Sequence, residues 1–179
     1  MDHFYFIRHG ETVWNVENKI CGATDIELTQ RGHEQAKEAG EKIIQQKITA
    51  DVILTSPLIR AKETARHISE ITGIPMKVEP RLKEQNFGRF ESTKRNGDEF
   101  HEAKKEMASR YGSGESMLHL AQRIYNLLDD IKAGDQEVIL VAHNGIARMV
   151  ETYFREMDNE AFSSCGVKNC EIIKYNFDS

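Results

Sequence analysis

No apolar run in this sequence approaches the roughly 20 residues that a bilayer-spanning helix needs, so no membrane partner is expected. The only early apolar stretch, Phe4 to Ile7, is cut short by Arg8, which leaves no signal-peptide pattern. Only three cysteines, Cys21, Cys165 and Cys170, occur among the 179 residues. An odd number of thiols in a chain long enough to bury a sizeable core without staples fits free cysteines in a reducing cytosol, and the expected location is cytoplasmic. Neither CxxC nor HExxH spacing is present, so neither a metal nor a cofactor is expected. Basic residues are not in excess. The formal charge is -5, and they gather only in short runs such as Lys104-Lys105, which gives nucleic acid no footing as a main partner. Internal repeats, low-complexity tracts and linkers are also missing, and oligomeric state leaves no mark in the sequence. What remains, 39% hydrophobic and 30% charged residues, suits one globular domain.

Short apolar runs alternate with helical patterns along the chain. Phe4 to Ile7 predicts a strand buried on both faces, after which the chain turns polar at Arg8-His9-Gly10-Glu11-Thr12. An irregular loop over 19–28, flexible at Gly22, precedes Thr29, a candidate N-cap for a helix with Ala36, Ala39, Ile43 and Ile44 on one face. Val52 to Leu54 predicts a second strand. Thr55-Ser56-Pro57 then starts a helix, with Pro57 near its first position and Ala61, Ala65, Ile68 and Ile71 on one face, ending near Gly73. Met76 to Val78 predicts a third strand. The polar stretch from Pro80 to about Gly97 reads as a long functional loop, and 98–110 as a charged helix forming a lid or flank, broken by Gly112-Ser113-Gly114. A helix carrying Leu120, Ala121, Ile124, Leu127, Leu128 and Ile131 ends at Gly134. Val138 to Ala142 is the clearest buried strand, followed by His143-Asn144-Gly145 and a helix from Ile146 to about Arg155; the last strand is expected over 171–176. This order calls for a three-layer α/β/α sandwich around a mostly parallel sheet. Residues 1–179 form one domain in this reading, with a lid-like insertion at about 81–114.

Three strand ends carry similar cargo: Arg8-His9, then Ser56 with Arg60, then His143. Ligands of open α/β sheets bind at the carboxyl ends of the strands, so these groups converge although far apart in sequence. Singly, each has a plainer reading: a polar pair capping a strand, an exposed helix arginine, a packed core histidine. Together they make a pocket for a dianion. A neutral imidazole can take a phosphoryl group, and arginine forks can grip its oxygens. The same positive charge lowers the pKa of His9 and keeps its ring neutral near pH 7.

Four blocks in order carry a resemblance: Arg8-His9-Gly10-Glu11-Thr12 with Asn15; Ser56-Pro57-Leu58-Ile59-Arg60-Ala61; Arg81-Leu82-Lys83-Glu84 followed by Phe87-Gly88; and Val141-Ala142-His143-Asn144-Gly145. They resemble the motifs of the histidine phosphatase superfamily, which includes the cofactor-dependent phosphoglycerate mutases, and the likeness runs from Phe4 to about Tyr175. Smaller matches are Cys21-Gly22 with Asp25, Leu28-Thr29, Gly32 and Gln35-Ala36, and Gly114-Glu115-Ser116. The resemblance implies that His9 becomes phosphorylated, that Glu84 is the general acid, and that Arg60 and His143 contact the phosphoryl group. It adds Arg8, Asn15 and Asn144 as phosphate-binding groups and Cys21 and Gly22 near the substrate. Two departures stand out: Asn144 where the family usually has glycine, and Phe90-Glu91-Ser92 where it typically has Trp-Glu-Gly. The histidines His3, His33, His67, His101 and His119 match none of the motifs and are expected on the surface or in packing.

The expected function is a metal-independent phosphomonoesterase that hydrolyses a small phosphorylated metabolite through phosphohistidine on His9. Alternatives are a phosphoglycerate mutase-type phosphoryl transferase, a phosphoprotein phosphatase, and a binding module that kept the fold without turnover. Mutases of this superfamily have a longer insertion and tail with extra basic residues for a carboxylate. The shorter insertion and tail here favour hydrolysis, and the joint presence of His9, Arg60, Glu84 and His143 disfavours the module.

Overall fold

A computed structural model describes residues 1–177. Its strands are β1 (His3–Arg8), β2 (Val52–Thr55), β3 (Met76–Val78), β4 (Val138–Ala142) and β5 (Ile172–Asn176). Its helices are α1 (Val13–Val16), α2 (Gln30–Gln45), α3 (Ile59–Thr72), α4 (Asp98–Ala103), α5 (Met117–Ala133), α6 (Asn144–Phe154) and α7 (Asn159–Ser164). The strands form one sheet in the order β3-β2-β4-β1-β5, parallel except for β5, which runs antiparallel along the β1 edge. Among the described residues no helix is long and apolar enough to cross a membrane.

The two-residue period of the strands sorts their side chains into two cores. Phe4, Phe6, Val138, Leu140 and Ala142 pack with Leu120, Ile124, Leu127 and Leu128 of α5 and Ile146, Ala147 and Val150 of α6. Ile7, Ile53, Ile139 and Val141 point the other way, onto Ala36, Ala39 and Ile43 of α2 and Ala61, Ala65 and Ile68 of α3. This is the expected α/β/α sandwich. Burying each large apolar side chain contributes about 1.5–3 kcal/mol, so β1 and β4, filled on both faces, anchor the sheet. A third, smaller cluster of Ile20, Phe90, Phe100 and Tyr111 packs the segment between β3 and α5 against the loop after α1.

Several expectations need correction. The 98–110 helix stops at Ala103, because it has only Phe100 to bury and a short helix without an apolar stripe does not sustain its nucleation cost. Ile44 lies past the edge of the α2 stripe and is 55% exposed. The helix after β2 begins at Ile59, with Leu58 at its N-cap, so Pro57 precedes the helix rather than starting it. The stretch from Pro80 to Gly97 contains two single turns of 3₁₀ helix, at Pro80–Leu82 and Gly88–Phe90. The sequence reading had no counterpart for α1, which is set by a Thr12/Asn15 capping box, or for α7, capped by Asp158.

The chain leaving β1 is pressed directly onto the start of α2. A Cβ on Gly10 would lie 2.4 Å from the Gly32 carbonyl oxygen, and one on Gly32 would lie 2.1 Å from that of Glu11. Thr64 of α3 ties the same turn, its Oγ1 accepting from the Gly10 N–H (3.0 Å) and donating to the Arg60 carbonyl (2.7 Å). Backbone meets backbone here, so Gly32→Ala is expected to cost about 1–3 kcal/mol, read as a lower urea midpoint at unchanged slope.

Candidate active site

Parallel pairing of β1 with β4 sets Arg8 opposite Ala142, and the His9 N–H donates to the Ala142 carbonyl (2.9 Å). The next residue on each chain is a histidine. The rings of His9 and His143 lie 5.2 Å apart between centroids, both buried. Their partners fix both tautomers. His9 Nδ1 faces the Gly10 carbonyl at 2.7 Å, which can only accept, so Nδ1 carries the proton and Nε2 keeps its lone pair. His143 Nδ1 faces Arg60 Nε at 3.2 Å, which can only donate, so His143 holds its proton on Nε2 and gives it to Ser56 Oγ (2.7 Å). Burial, reinforced by Arg60, holds both imidazoles well below the usual histidine range; Arg8 adds to the effect on each.

Arg60, only 1% exposed, also donates NH1 to the Thr24 carbonyl (2.8 Å) and NH2 to the Gly22 carbonyl (2.7 Å). Arg8 donates NH1 to the Val167 carbonyl (2.7 Å), while its buried Nε has no partner. Burial first, then Arg95, lowers its pKa to about 10. Neither arginine has a carboxylate within ion-pair distance among the described residues, so their charge is not cancelled locally.

Glu84 is buried beside these cations. Its carboxylate accepts from the Gln85 N–H and from the Gly145 N–H at the start of α6, each at 2.9 Å. Burial pushes its pKa up, and the opposing pull of those two N–H groups and of Arg60 does not reverse the direction.

The remaining sequence-derived candidates fall into two groups. Asn15 spends its Oδ1 on the Thr12 N–H (3.1 Å), which leaves its amide NH2 for another acceptor. Asn144 turns its Oδ1 to the Val167 N–H (2.9 Å) and so fastens the loop that holds Arg8. Cys21 borders the cavity, its thiol raised to about 11 chiefly by burial. Gly22 does not line the cavity. Its N–H donates to Glu91 Oε2 (3.1 Å), and a Cβ there would lie 2.2 Å from the Gln85 carbonyl oxygen.

Arg8, His9, Asn15, Cys21, Glu84, Asn144 and Gly145 line a cavity of about 210 Å³, with Arg60 and His143 one layer deeper. Its mouth holds groups the motifs did not mark: Arg95, Lys104, Arg148, Phe100 and His101. Burial first, then the charges of Arg148 and Arg95, lowers the pKa of Lys104, which also lies beside the Phe100 ring (4.9 Å). Glu91, marked in the Phe90-Glu91-Ser92 block without a role of its own, clamps the 22–24 loop through Gly22 N, Ala23 N and Thr24 Oγ1. A basic residue in each of three separate segments leaves no local pattern, and only the fold assembles them.

A family model described as the histidine phosphatase superfamily (branch 1) matches residues 4–179. A probable phosphoglycerate mutase, GpmB, of Yersinia pestis (strain Pestoides F) is 30% identical, over 97% of this chain and 84% of that protein. Phosphoserine phosphatase from Entamoeba histolytica, solved in complex with 3-phosphoglyceric acid, superposes with a TM-score of 0.83 at 30% identity, covering 99% of this chain and 92% of that one. A mycobacterial glucosyl-3-phosphoglycerate phosphatase gives a TM-score of 0.82 at 25% identity, covering 97% and 89%. With the match spanning all but its first three residues, the chain belongs to the histidine phosphatase superfamily.

Proposed function

We propose that this protein is a phosphomonoesterase acting on a small phosphorylated metabolite through a phosphohistidine at His9. One observation carries the reading: a buried neutral imidazole, its Nδ1 committed to a carbonyl, keeps its Nε2 lone pair in a cavity walled by arginines without acidic partners. Nε2 attacks phosphorus, the bond from phosphorus to the leaving oxygen breaks, and Glu84 gives its proton to that oxygen. Glu84, now ionised, takes a proton from water, whose oxygen attacks phosphorus and breaks the N–P bond. Arg8, Arg60, Asn15 and the backbone N–H of Asn144 at the start of α6 hold the phosphoryl oxygens; His143, for which the resemblance implied a direct contact, has both ring nitrogens taken by Arg60 and Ser56 and instead holds the Arg60 guanidinium in place. These groups supply the positive charge themselves, so the chemistry needs no metal. The free thiols of Cys21, Cys165 and Cys170 fit a cytoplasmic setting.

The mouth narrows the substrate class. Arg95, Lys104 and Arg148 have no carboxylate within ion-pair distance among the described residues, in a chain of net charge -5. A substrate with a second anionic group, such as a carboxylate, would satisfy them. The Entamoeba structure holds 3-phosphoglyceric acid, and the mycobacterial protein is named for glucosyl-3-phosphoglycerate; both compounds pair a phosphate ester with a carboxylate. The small cavity favours a metabolite over a phosphoprotein. The same basic mouth weighs against the earlier argument from a short insertion and supports a second reading, a mutase that returns the phosphoryl group to a reoriented acid.

Rapid quench with labelled 3-phosphoglycerate should trap an acid-labile, base-stable phosphoenzyme, in EDTA as in buffer and never in His9→Ala; phosphate release exceeding isomerisation then favours the hydrolase. The pH profile of kcat/KM should be bell-shaped. Activity falls at low pH as His9 takes a proton and loses its lone pair, and at high pH as Glu84 loses its proton through its raised pKa. Glu84→Gln should remove the alkaline limb and slow alkyl phosphates by about 10²–10⁴-fold. Arg95→Gln and Lys104→Met should each raise KM for a phosphorylated acid by about tenfold while leaving an aryl phosphate without a second anionic group nearly unchanged.

A further inference from the structure

A second group of titratable side chains lies between α2 and α3, outside the phosphoryl chemistry. His33 sits in the first turn of α2, and Glu63 and His67 are one turn apart on α3. His33 Nδ1 and His67 Nε2 are 2.9 Å apart, and an oxygen of Glu63 joins them in a group whose ligand atoms all lie within 4.8 Å of one another. His67 is buried and the other two are half-buried, so the group opens onto solvent on one side. The remaining ring nitrogen of His67, Nδ1, faces Glu70 Oε2 at 3.9 Å, and Arg66 bridges Glu63 and Glu70.

We propose that His33, Glu63 and His67 form a site for one divalent transition-metal ion of the zinc type that staples α2 to α3. Two imidazoles and a carboxylate suit such an ion better than magnesium or calcium, which prefer all-oxygen sets. With metal–nitrogen distances near 2.05 Å, tetrahedral coordination separates two nitrogens by about 3.3 Å, so the rings need to part by only about 0.4 Å. The proton now shared between the rings moves to an outer ring nitrogen as the ion enters. Glu70 then takes the part of the carboxylate that orients a metal-bound histidine through its far nitrogen. Arg66 keeps Glu70 when it gives up Glu63. The site is apart from the cavity, but its helices frame it: α3 carries Arg60 and Thr64, and α2 presses Gly32 onto Gly10.

The test uses tag-free, metal-stripped full-length protein titrated with zinc and followed by native mass spectrometry and thermal unfolding. One ion per chain and a Tm that climbs with zinc are expected. His33→Ala and Glu63→Gln, both at half-buried positions, should each weaken uptake by more than tenfold, and Glu70→Gln by about tenfold. Cobalt should give a visible d–d spectrum without a thiolate charge-transfer band. No uptake at micromolar zinc, uptake undiminished in both ligand variants, or a thiolate band would overturn the proposal. None of these readouts depends on phosphoryl transfer.

Discussion

The pairing of β1 with β4, Arg8 opposite Ala142, is the constraint on which core and site both rest. A slip of one residue would turn Phe4 and Phe6 away from α5 and α6 and push their neighbours into the opposite layer. The same slip would move His9 off the Ala142 carbonyl and away from His143. Burial of apolar side chains therefore sets the spacing of two polar rings that contribute little to stability themselves. The strand ends are precise because the strands behind them are packed on both faces.

Charge is distributed by the opposite logic. Arg31, Arg66, Arg81, Arg89, Arg123 and Arg155 all sit against carboxylates. Arg8 and Arg60 are held by carbonyls of Val167, Gly22 and Thr24 instead. A carbonyl partner orients a guanidinium and offsets part of its desolvation without cancelling its charge, so the field is left for an incoming anion. Burial, and after it the crowding of like charges, lowers the pKa values of Arg8 and Lys104. Among the described residues Glu84 is the one acid that lines the cavity, and burial favours its neutral form there.

Much of this was legible in the sequence, for a definite reason. Strand ends in a parallel sheet share an edge, so Arg8-His9, Ser56 and His143 could be assembled from order alone. Arg60 is buried beneath His143, which residue type would not suggest; only its block marked it. Pairings between distant segments left no trace: Glu91 on the 22–24 loop, His33 on His67, and the basic mouth drawn from Arg95, Lys104 and Arg148. Short elements escaped too, since α1 and α7 are held by a cap rather than by a hydrophobic period. The charged run after Phe100 looked helical by composition, but a helix needs a face to bury.

The departure at Phe90-Glu91-Ser92 shows how the site tolerates variation. Ser92 has φ 68°, in the left-handed region that explains a glycine at this position, and serine there costs roughly 1–2 kcal/mol. The backbone path is kept all the same: the Ser92 N–H still donates to the Ile20 carbonyl (3.0 Å), and Phe90 fills the cluster with Phe100 and Tyr111. Glu91 then reaches the Gly22, Ala23 and Phe87 N–H groups. The 22–24 loop is pinned by a carboxylate on its N–H side and by Arg60 on its carbonyl side. That loop fixes both terminal nitrogens of Arg60 while His143 takes its Nε, so a strained serine 32 residues downstream helps to aim the guanidinium.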